Sequence, residues 1–324
     1  MRVLQPLGEF RSKGAQGLYQ ASREVPWEEH LSQRSTFAVE ATLRESEHSH
    51  SGFVALKVKD AIVDRLREKF GARPDVDARD PDVRVISHLS GESLTLSLDL
   101  TGEPLHRRGY RVEPTVAPLK ETLAAAILRA AGYKGEESLS DPLCGSGTLL
   151  IEAGLIATGR APALGRPLGV ERWPYVGSEA RRMLAELRDQ ARHSERPAPC
   201  PIIGYDRSEE AIAATRKNAR AAGLSKEIAT QVRDATLPLG LETIPPGLIV
   251  CNPPYGDRLK AGGQKGMKSF YFKLGEAFRQ SHGWRASILA GNPAFESAFH
   301  ARPLHRRVLF NGPIECQLLD YRFD

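Results

Sequence analysis

Leu248-Ile249-Val250-Cys251-Asn252-Pro253-Pro254-Tyr255 joins an apolar run to two consecutive prolines, and that junction decides the architecture. A short unbroken apolar run bounded by turn residues reads as a parallel strand buried on both faces. Proline lacks an N–H and holds φ at about −65°, so a pair of them ends the ladder in a stiff turn. Open α/β sheets bind their ligands at the carboxyl ends of strands. A turn placed there can aim the Asn252 amide oxygen, the Pro253 carbonyl and the Tyr255 ring into one pocket, with Pro254 as the second stiffener.

Paired acceptors beside an aromatic plate suit a flat ring that carries an exocyclic NH2. An amine conjugated to a purine or an amide is a poor nucleophile, because its lone pair is delocalised. Hydrogen bonds from both N–H groups to Asn252 Oδ1 and the Pro253 carbonyl would draw the nitrogen towards tetrahedral geometry and localise the pair. Orientation and electrostatics then carry the step without a strong base. The plainer alternative is a proline-stiffened loop whose Asn satisfies backbone, and the rest of the chain bears on the choice.

At 324 residues the chain has room for two domains. Its 41% hydrophobic and 26% charged residues are those of an ordinary globular protein. A net charge of +5 and a pI near 9.0 suit a polyanionic partner. No apolar run approaches the roughly 18 residues of a membrane span. Met1 to Pro6 lacks the apolar stretch of a secretory signal, so a cytoplasmic protein with no membrane partner is expected. Cys144, Cys200, Cys251 and Cys316 are far apart, which points to neither a metal site nor a disulfide framework.

Residues 1–112 read as a small α+β module. Phe37, Val39, Ala41 and Leu43 alternate as a half-buried strand does. An amphipathic helix is predicted from about Ala55 to Phe70, with Leu56, Ile62, Val63 and Leu66 inward and Gly71 as its stop. Val83 to Leu89, a turn at Ser90-Gly91, and Leu94 to Leu100 read as a hairpin. Leu105 to Arg111 sets Arg107, Arg108 and Arg111 around Tyr110. That stretch is either a solvated linker or an RNA contact made by stacking and phosphate binding.

Residues 113–324 alternate strands and helices. Pro118 opens a helix over Leu119–Ala131. A short strand leads to Asp141, Ile202–Tyr205 leads to Asp206, and a strand near Ala229–Arg233 leads to Asp234. The fourth strand ends at Asn252, a helix follows around Ser269–Ser281, then a strand at Ala286–Leu289. Asn311-Gly312 between Val308–Phe310 and Ile314–Leu319 is a strong hairpin signal. The expected fold is α/β: a Rossmann-like, mostly parallel sheet with a C-terminal antiparallel hairpin, preceded by the α+β module.

Asp141-Pro142-Leu143-Cys144-Gly145-Ser146-Gly147-Thr148 lies between a strand and a helix. It is not the dinucleotide fingerprint, since Thr148-Leu149-Leu150 stands where the third glycine would be, and no Lys-Ser/Thr follows to make a P-loop. The glycines let backbone approach a ligand closely. The leading acid repels a pyrophosphate but suits an ammonium, as in the amino-acid moiety of S-adenosyl-L-methionine. Asp206 is placed for ribose hydroxyls and Asp234 for an adenine amine. Thr158–Pro201, rich in Arg and Pro, is expected to run over that pocket.

With those residues in view, the chain resembles the class I S-adenosylmethionine-dependent methyltransferases that carry an N-terminal THUMP domain, above all the bacterial 23S ribosomal RNA guanine-N2 methyltransferases. Phe53 to Asp64 and Ser97 to Leu100 resemble the THUMP part. His106-Arg107-Arg108-Gly109-Tyr110-Arg111 and Ala117 to Ala124 look like the junction and the helix flanking the cofactor. The resemblance implies that Pro118, Leu119, Asp141, Cys144, Gly145, Ser146, Gly147, Thr148, Asp206 and Asp234 line the cofactor. It also implies that Asn252, Pro253, Pro254 and Tyr255 receive the target guanine, and that Lys57, Lys59, Arg107, Arg108 and Arg111 hold 23S RNA or its precursor particle.

The family carries a longer stretch ahead of the point resembling Phe10, so a shortened RNA-binding module or a late start codon is expected. A second fused methyltransferase, present in some members, has no counterpart here, so one activity is expected. Transfer-RNA guanine methylation shares the architecture, and N6-adenine or glutamine-N5 methylation shares the turn. From outside enzymes, an RNA-binding assembly factor that keeps the fold without catalysis is the competing reading.

Overall fold

In the computed structural model the described residues are 1–113, 119–162, 164–255 and 263–324, with side chains 263 and 264 left aside. They form two compact units. One is Met1–Leu105 with Arg166–Arg188; the other is His106–Gly165 with Asp189–Asp324. The division thus falls a few residues ahead of the expected boundary, and the first unit also takes a segment from deep in the second half.

The first unit holds a five-stranded sheet in the order β1-β5-β4-β2-β3. Its strands are β1 (Leu4–Arg11), β2 (Thr36–Arg44), β3 (Asp75–Val76), β4 (Val83–Ser90) and β5 (Ser93–Asp99). β4 and β5 are the predicted hairpin, turned at Gly91 with φ +59°. Helices α1 (Gly14–Glu24) and α2 (Ser51–Phe70) pack together, and Trp27, Phe37, Val58, Ile62 and Leu66 form the core. The predicted stop at Gly71 holds, with φ +70° and its amide on the Arg67 carbonyl.

Two expectations are corrected here. Leu56 is 54% exposed, because α2 starts four residues early and its buried stripe runs through Val54, Val58, Ala61, Ile62 and Leu66. At about 100° per residue, position 56 lies across the helix from position 54. Residues 166–188, expected to run over the cofactor pocket, are instead built into this unit. Trp173 sits in its core, the Val170 amide donates to the Leu100 carbonyl, and Arg188 holds Glu171 at 2.7 Å.

The second unit holds a seven-stranded sheet in the order β11-β12-β10-β9-β6-β7-β8. β6 (Leu139–Asp141), β7 (Ile202–Asp206), β8 (Ile228–Val232), β9 (Leu248–Cys251) and β10 (Arg285–Ala290) are parallel; β11 (His305–Asn311) and β12 (Ile314–Arg322) close it as an antiparallel hairpin. Helices α3 (Glu121–Ala130), α4 (Thr148–Thr158), α6 (Glu209–Ala221), α7 (Gly263–Arg279) and α8 (Phe295–Phe299) belong to this unit, while α5 (Ser178–His193) runs across the division between the two.

β9 shows why its sequence is apolar throughout. Leu248 and Val250 enter one core with Ile127 and Leu150, while Ile249 and Cys251 enter the other with Phe278 and Phe299. All four β9 side chains are fully buried. The chain builds β6, β7 and β8 outward in one direction, then returns to the other side of β6 for β9. That reversal is the topological switch point, where open α/β sheets form a crevice at their carboxyl edge. Among the described residues no helix is long and apolar enough to cross a membrane.

Candidate functional site

The loop after β6 and the turn after β9 come from neighbouring parallel strands, so Asp141–Thr148 and Asn252–Tyr255 emerge side by side at the carboxyl edge. Asp206, at the end of β7, is next along.

The β6 loop turns its side chains inward. Asp141 is 1% exposed, and its Oδ1 accepts the Leu143 amide at 3.0 Å. Burial raises its carboxyl to about 8, with Asp206 nearby adding to the rise. The acid expected to meet an ammonium is therefore enclosed by its own loop. Cys144, Ser146 and Thr148 are also buried. Arg111 ties the last two down, at 3.4 Å to Ser146 Oγ and 3.1 Å to Thr148 Oγ1.

What the loop offers a ligand is backbone. Gly145 has φ +56° and a Cβ built on it meets nothing within 4 Å, so open space lies against it. Gly147 has φ +84° and abuts Thr215, where a Cβ would stand 2.7 Å from Cγ2. Thr215 Oγ1 in turn donates to the Gly145 carbonyl at 2.8 Å. Asp206 organises the other side: its Oδ2 takes the Gly145 amide at 3.0 Å and its Oδ1 the Ser208 amide at 2.9 Å. Each oxygen keeps a second lone pair. Asp234 is exposed just beyond β8, and its Oδ1 accepts from the Thr236 amide and hydroxyl, which lowers its carboxyl.

The proline turn is pinned at both of its last residues. The Tyr271 hydroxyl donates to the Pro254 carbonyl at 2.7 Å, from a ring that is 1% exposed and packed edge-on to Phe295. Burial pushes that phenol up to about 12. Asn311 Nδ2 donates to the Tyr255 hydroxyl at 2.6 Å. Gly291, just past β10, lies flat on the Tyr255 ring, since a Cβ there would come within 2.8 Å of its carbons. Tyr255 is only 5% exposed, so it is a wall of the site rather than the open plate expected.

Asn252 Oδ1 is buried and meets no hydrogen-bond donor among the described residues, although the residue itself is partly exposed. Leaving such an acceptor unpaired costs about 1–3 kcal/mol.

The cationic stretch divides. Arg108 forms an ion pair with Glu152 at 3.2 Å, where Glu152 is 2% exposed and also takes the Tyr110 hydroxyl at 3.0 Å. Arg111 pairs with Glu121 at 2.9 Å and donates to the Leu119 carbonyl. Both arginines, expected to hold RNA, are spent on internal carboxylates, and Tyr110 is buried. Arg107 is exposed. In the first unit, Lys57 lies over the Phe53 ring at 5.8 Å and Lys59 faces Asp60 at 3.4 Å. Pro118 lies outside the described residues.

Reading the residues alone missed Tyr271, Gly291, Thr215 and the anchoring role of Asn311. A Gly directly after an apolar strand was the one available signal, at Gly291; the others depend on long-range packing. Among the described residues there is no cluster of His, Cys, Asp or Glu able to hold a metal.

A family model described as an RMKL-like methyltransferase domain matches residues 108–320, and a THUMP domain model matches residues 13–99. A "Ribosomal RNA large subunit methyltransferase K/L" of Syntrophotalea carbinolica is 44% identical over 99% of this chain, which spans 46% of that protein. The chain thus covers about half the length of the curated relatives of that name. A "Putative RNA methyltransferase slr0064" of Synechocystis sp. is 37% identical over 99% of the chain and 82% of its own length. Among solved structures, SMU.472, a putative methyltransferase complexed with SAH, superposes with a TM-score of 0.88 at 27% identity, covering 100% of this chain and 84% of that one.

Proposed function

The chain belongs to the RMKL-like methyltransferase family, with a THUMP domain ahead of the methyltransferase domain, and on that premise we propose that it methylates the exocyclic N2 amine of a guanine in 23S ribosomal RNA. S-adenosyl-L-methionine is its cofactor, and when bound it supplies a methyl group on a positively charged sulfur.

The residues at the switch point fit that cofactor. Gly145 has open space against its backbone, and Asp206 has lone pairs left for ribose hydroxyls at the end of the next strand. The buried Oδ1 of Asn252, without a donor among the described residues, carries the proposal for the acceptor. An incoming amine supplies the missing donor, so binding relieves a desolvation cost that the free protein bears. The Pro253 carbonyl takes the second N–H. With both N–H bonds held, the nitrogen lone pair is aimed rather than spread into the ring, and the turn contributes mainly orientation.

Tyr271 and Asn311 keep that geometry by fixing Pro254 and Tyr255. The target base is taken out of its stack to reach the turn, at a cost of a few kcal/mol. The THUMP unit, Lys57, Lys59 and Arg107 hold the RNA or its precursor particle in the cytoplasm.

The test is methyl transfer from labelled cofactor to unmodified 23S RNA, followed by nucleoside analysis. We expect N2-methylguanosine with the wild-type chain. Asn252→Ala should lose transfer by roughly a hundredfold or more, as when an oriented electrostatic contact is removed, while still binding cofactor. N6-methyladenosine as product, or label entering only transfer RNA, would defeat the proposal.

A further inference from the structure

Helix α7 joins β9 to its parallel neighbour β10, so it runs back against the strands and its first turns stand at their carboxyl edge. Its inner face is Met267, Tyr271, Leu274 and Phe278, all buried. Tyr271 is the residue that reaches the Pro254 carbonyl at 2.7 Å. Lys268 and Lys265 come earlier on the same helix. At a rise of about 1.5 Å per residue, their Cα atoms stand about 4.5 and about 9 Å beyond that of Tyr271, in the direction in which the strands point. Both lysines and Ser269 are exposed. Three and four residues apart, positions 265, 268 and 269 are neighbours on one open face.

Nothing in the helix itself accounts for those charges. A helix start carries partial positive charge and favours acids in its first turn, as α6 shows with Glu209 and Glu210. The first turn of α7 holds Lys265 and no acid. Lys265 and Lys268 are also like charges at i, i+3, which repel each other on a helix surface. Among the described residues neither takes part in an ion pair, whereas Lys217 on α6 stands 2.8 Å from Glu113. Glu276, farther down the same helix, is held by Arg279. The positive face continues towards the cofactor side: after the Thr236 amide, Arg207 and Lys273 also help to lower the Asp234 carboxyl.

Resting on the function proposed above, we infer that the opening turns of α7 hold the RNA phosphate backbone beside the target nucleotide. Lys265 and Lys268 each meet one phosphate, and Ser269 adds a hydroxyl donor. A polyanion relieves both costs at once, because it screens the lysines from each other and brings negative charge to the helix start. Phosphate contacts set the register of the strand and leave the choice of base to the turn. Since Tyr271 on the same helix pins that turn, RNA held here is anchored to the element that positions Pro254.

The experiment measures binding of unmodified 23S RNA across a salt series, and steady-state methyl transfer, on the full chain. It compares wild type with Lys265→Ala/Lys268→Ala, Lys265→Arg/Lys268→Arg and Lys134→Ala/Lys226→Ala. Lys134 and Lys226 are exposed and precede β6 and β8, at the opposite edge of the sheet, so that control removes the same charge elsewhere. Lys265→Ala/Lys268→Ala should raise KM for RNA several-fold with kcat unchanged, the mark of lost uniform binding. Its slope of log affinity against log salt should be shallower by about 1.5, two contacts at about 0.7–0.9 each. The arginine pair should keep the wild-type slope and the control should match wild type. No variant should lose cofactor affinity or melt lower.

An unchanged slope and KM in Lys265→Ala/Lys268→Ala, beside a wild-type chain that forms N2-methylguanosine, would overturn this inference alone. So would an equal loss in the Lys134 and Lys226 control, or a loss that follows weaker cofactor binding. A wild-type chain that binds 23S RNA yet leaves its guanines unmethylated defeats the parent proposal and this one with it.

Discussion

Asn311 Nδ2 stands 2.6 Å from the Tyr255 hydroxyl and donates to it across 56 positions of chain. The C-terminal hairpin thereby holds the last residue of the proline turn. Removing this bond costs about 1 kcal/mol of stability, the usual net value of one hydrogen bond. The larger effect is expected in turnover, because the bond orients a residue at the site. Asn311→Ala should lower kcat several-fold with cofactor affinity unchanged. Its effect should overlap that of Tyr255→Phe in a double-mutant cycle, since the two remove one interaction. Additive losses in steady-state kinetics would show that the contact does not transmit to the turn.

Gly291 tests the same wall from the other side. An alanine Cβ there would fall 2.8 Å from the Tyr255 ring carbons, far inside van der Waals contact. The ring is 5% exposed and has little room to retreat. Overpacking of this kind costs about 1–3 kcal/mol. Gly291→Ala should lower the melting temperature modestly and depress methyl transfer more strongly than stability. A fully active variant would mean that the turn tolerates displacement of Tyr255.

Arg108 and Arg107 should behave oppositely. Arg108 neutralises Glu152, a carboxylate with a side chain 2% exposed, whose acid is raised by burial despite its partner. Arg108→Ala leaves that carboxylate unpaired, a change that costs about 3–5 kcal/mol. The double variant Arg108→Ala with Glu152→Gln should recover much of the loss. Arg107→Ala, at an exposed position, should cost less stability than Arg108→Ala and weaken RNA binding with a smaller salt dependence. Thermal melts and salt-dependent binding separate the two.

The order of elements was legible because several strands of the second unit announce their own ends: Asp206 and Asn252 follow apolar runs, Asp141 opens a glycine-containing loop, and Asn311-Gly312 marks the hairpin. Residue types at strand ends predict where a crevice lies, and Asn252 is there with an acceptor that no described residue pairs. Side-chain direction was not legible. Arg108, Arg111 and Tyr110 read as a nucleic-acid surface by composition, yet buried Glu152 on α4 and Glu121 at the start of α3 claim them. Nothing local in residues 166–188 says that Trp173 enters the core of the first unit. Leu56 failed for a smaller reason: misplacing a helix start by four residues changes which face a borderline leucine occupies.

Asp141 makes a pH prediction. Its carboxyl sits at about 8 in the folded chain because it is desolvated, against about 3.9 when unfolded. Between those values the folded state binds the extra proton, so raising the pH weakens the fold. The stabilisation is complete below pH ~4 and lost as pH rises through about 8. Asp141→Asn keeps an oxygen for the Leu143 amide and removes the titration. The variant should therefore gain on wild type as pH rises from about 5 to 7, by up to about 1.4 kcal/mol per unit, and level off above about 9. Urea unfolding of both chains without cofactor, followed by circular dichroism across that range, measures the difference. A gap that does not change with pH would mean that the Asp141 carboxyl is already ionised in the folded loop, held by a positive group, and that desolvation does not govern it.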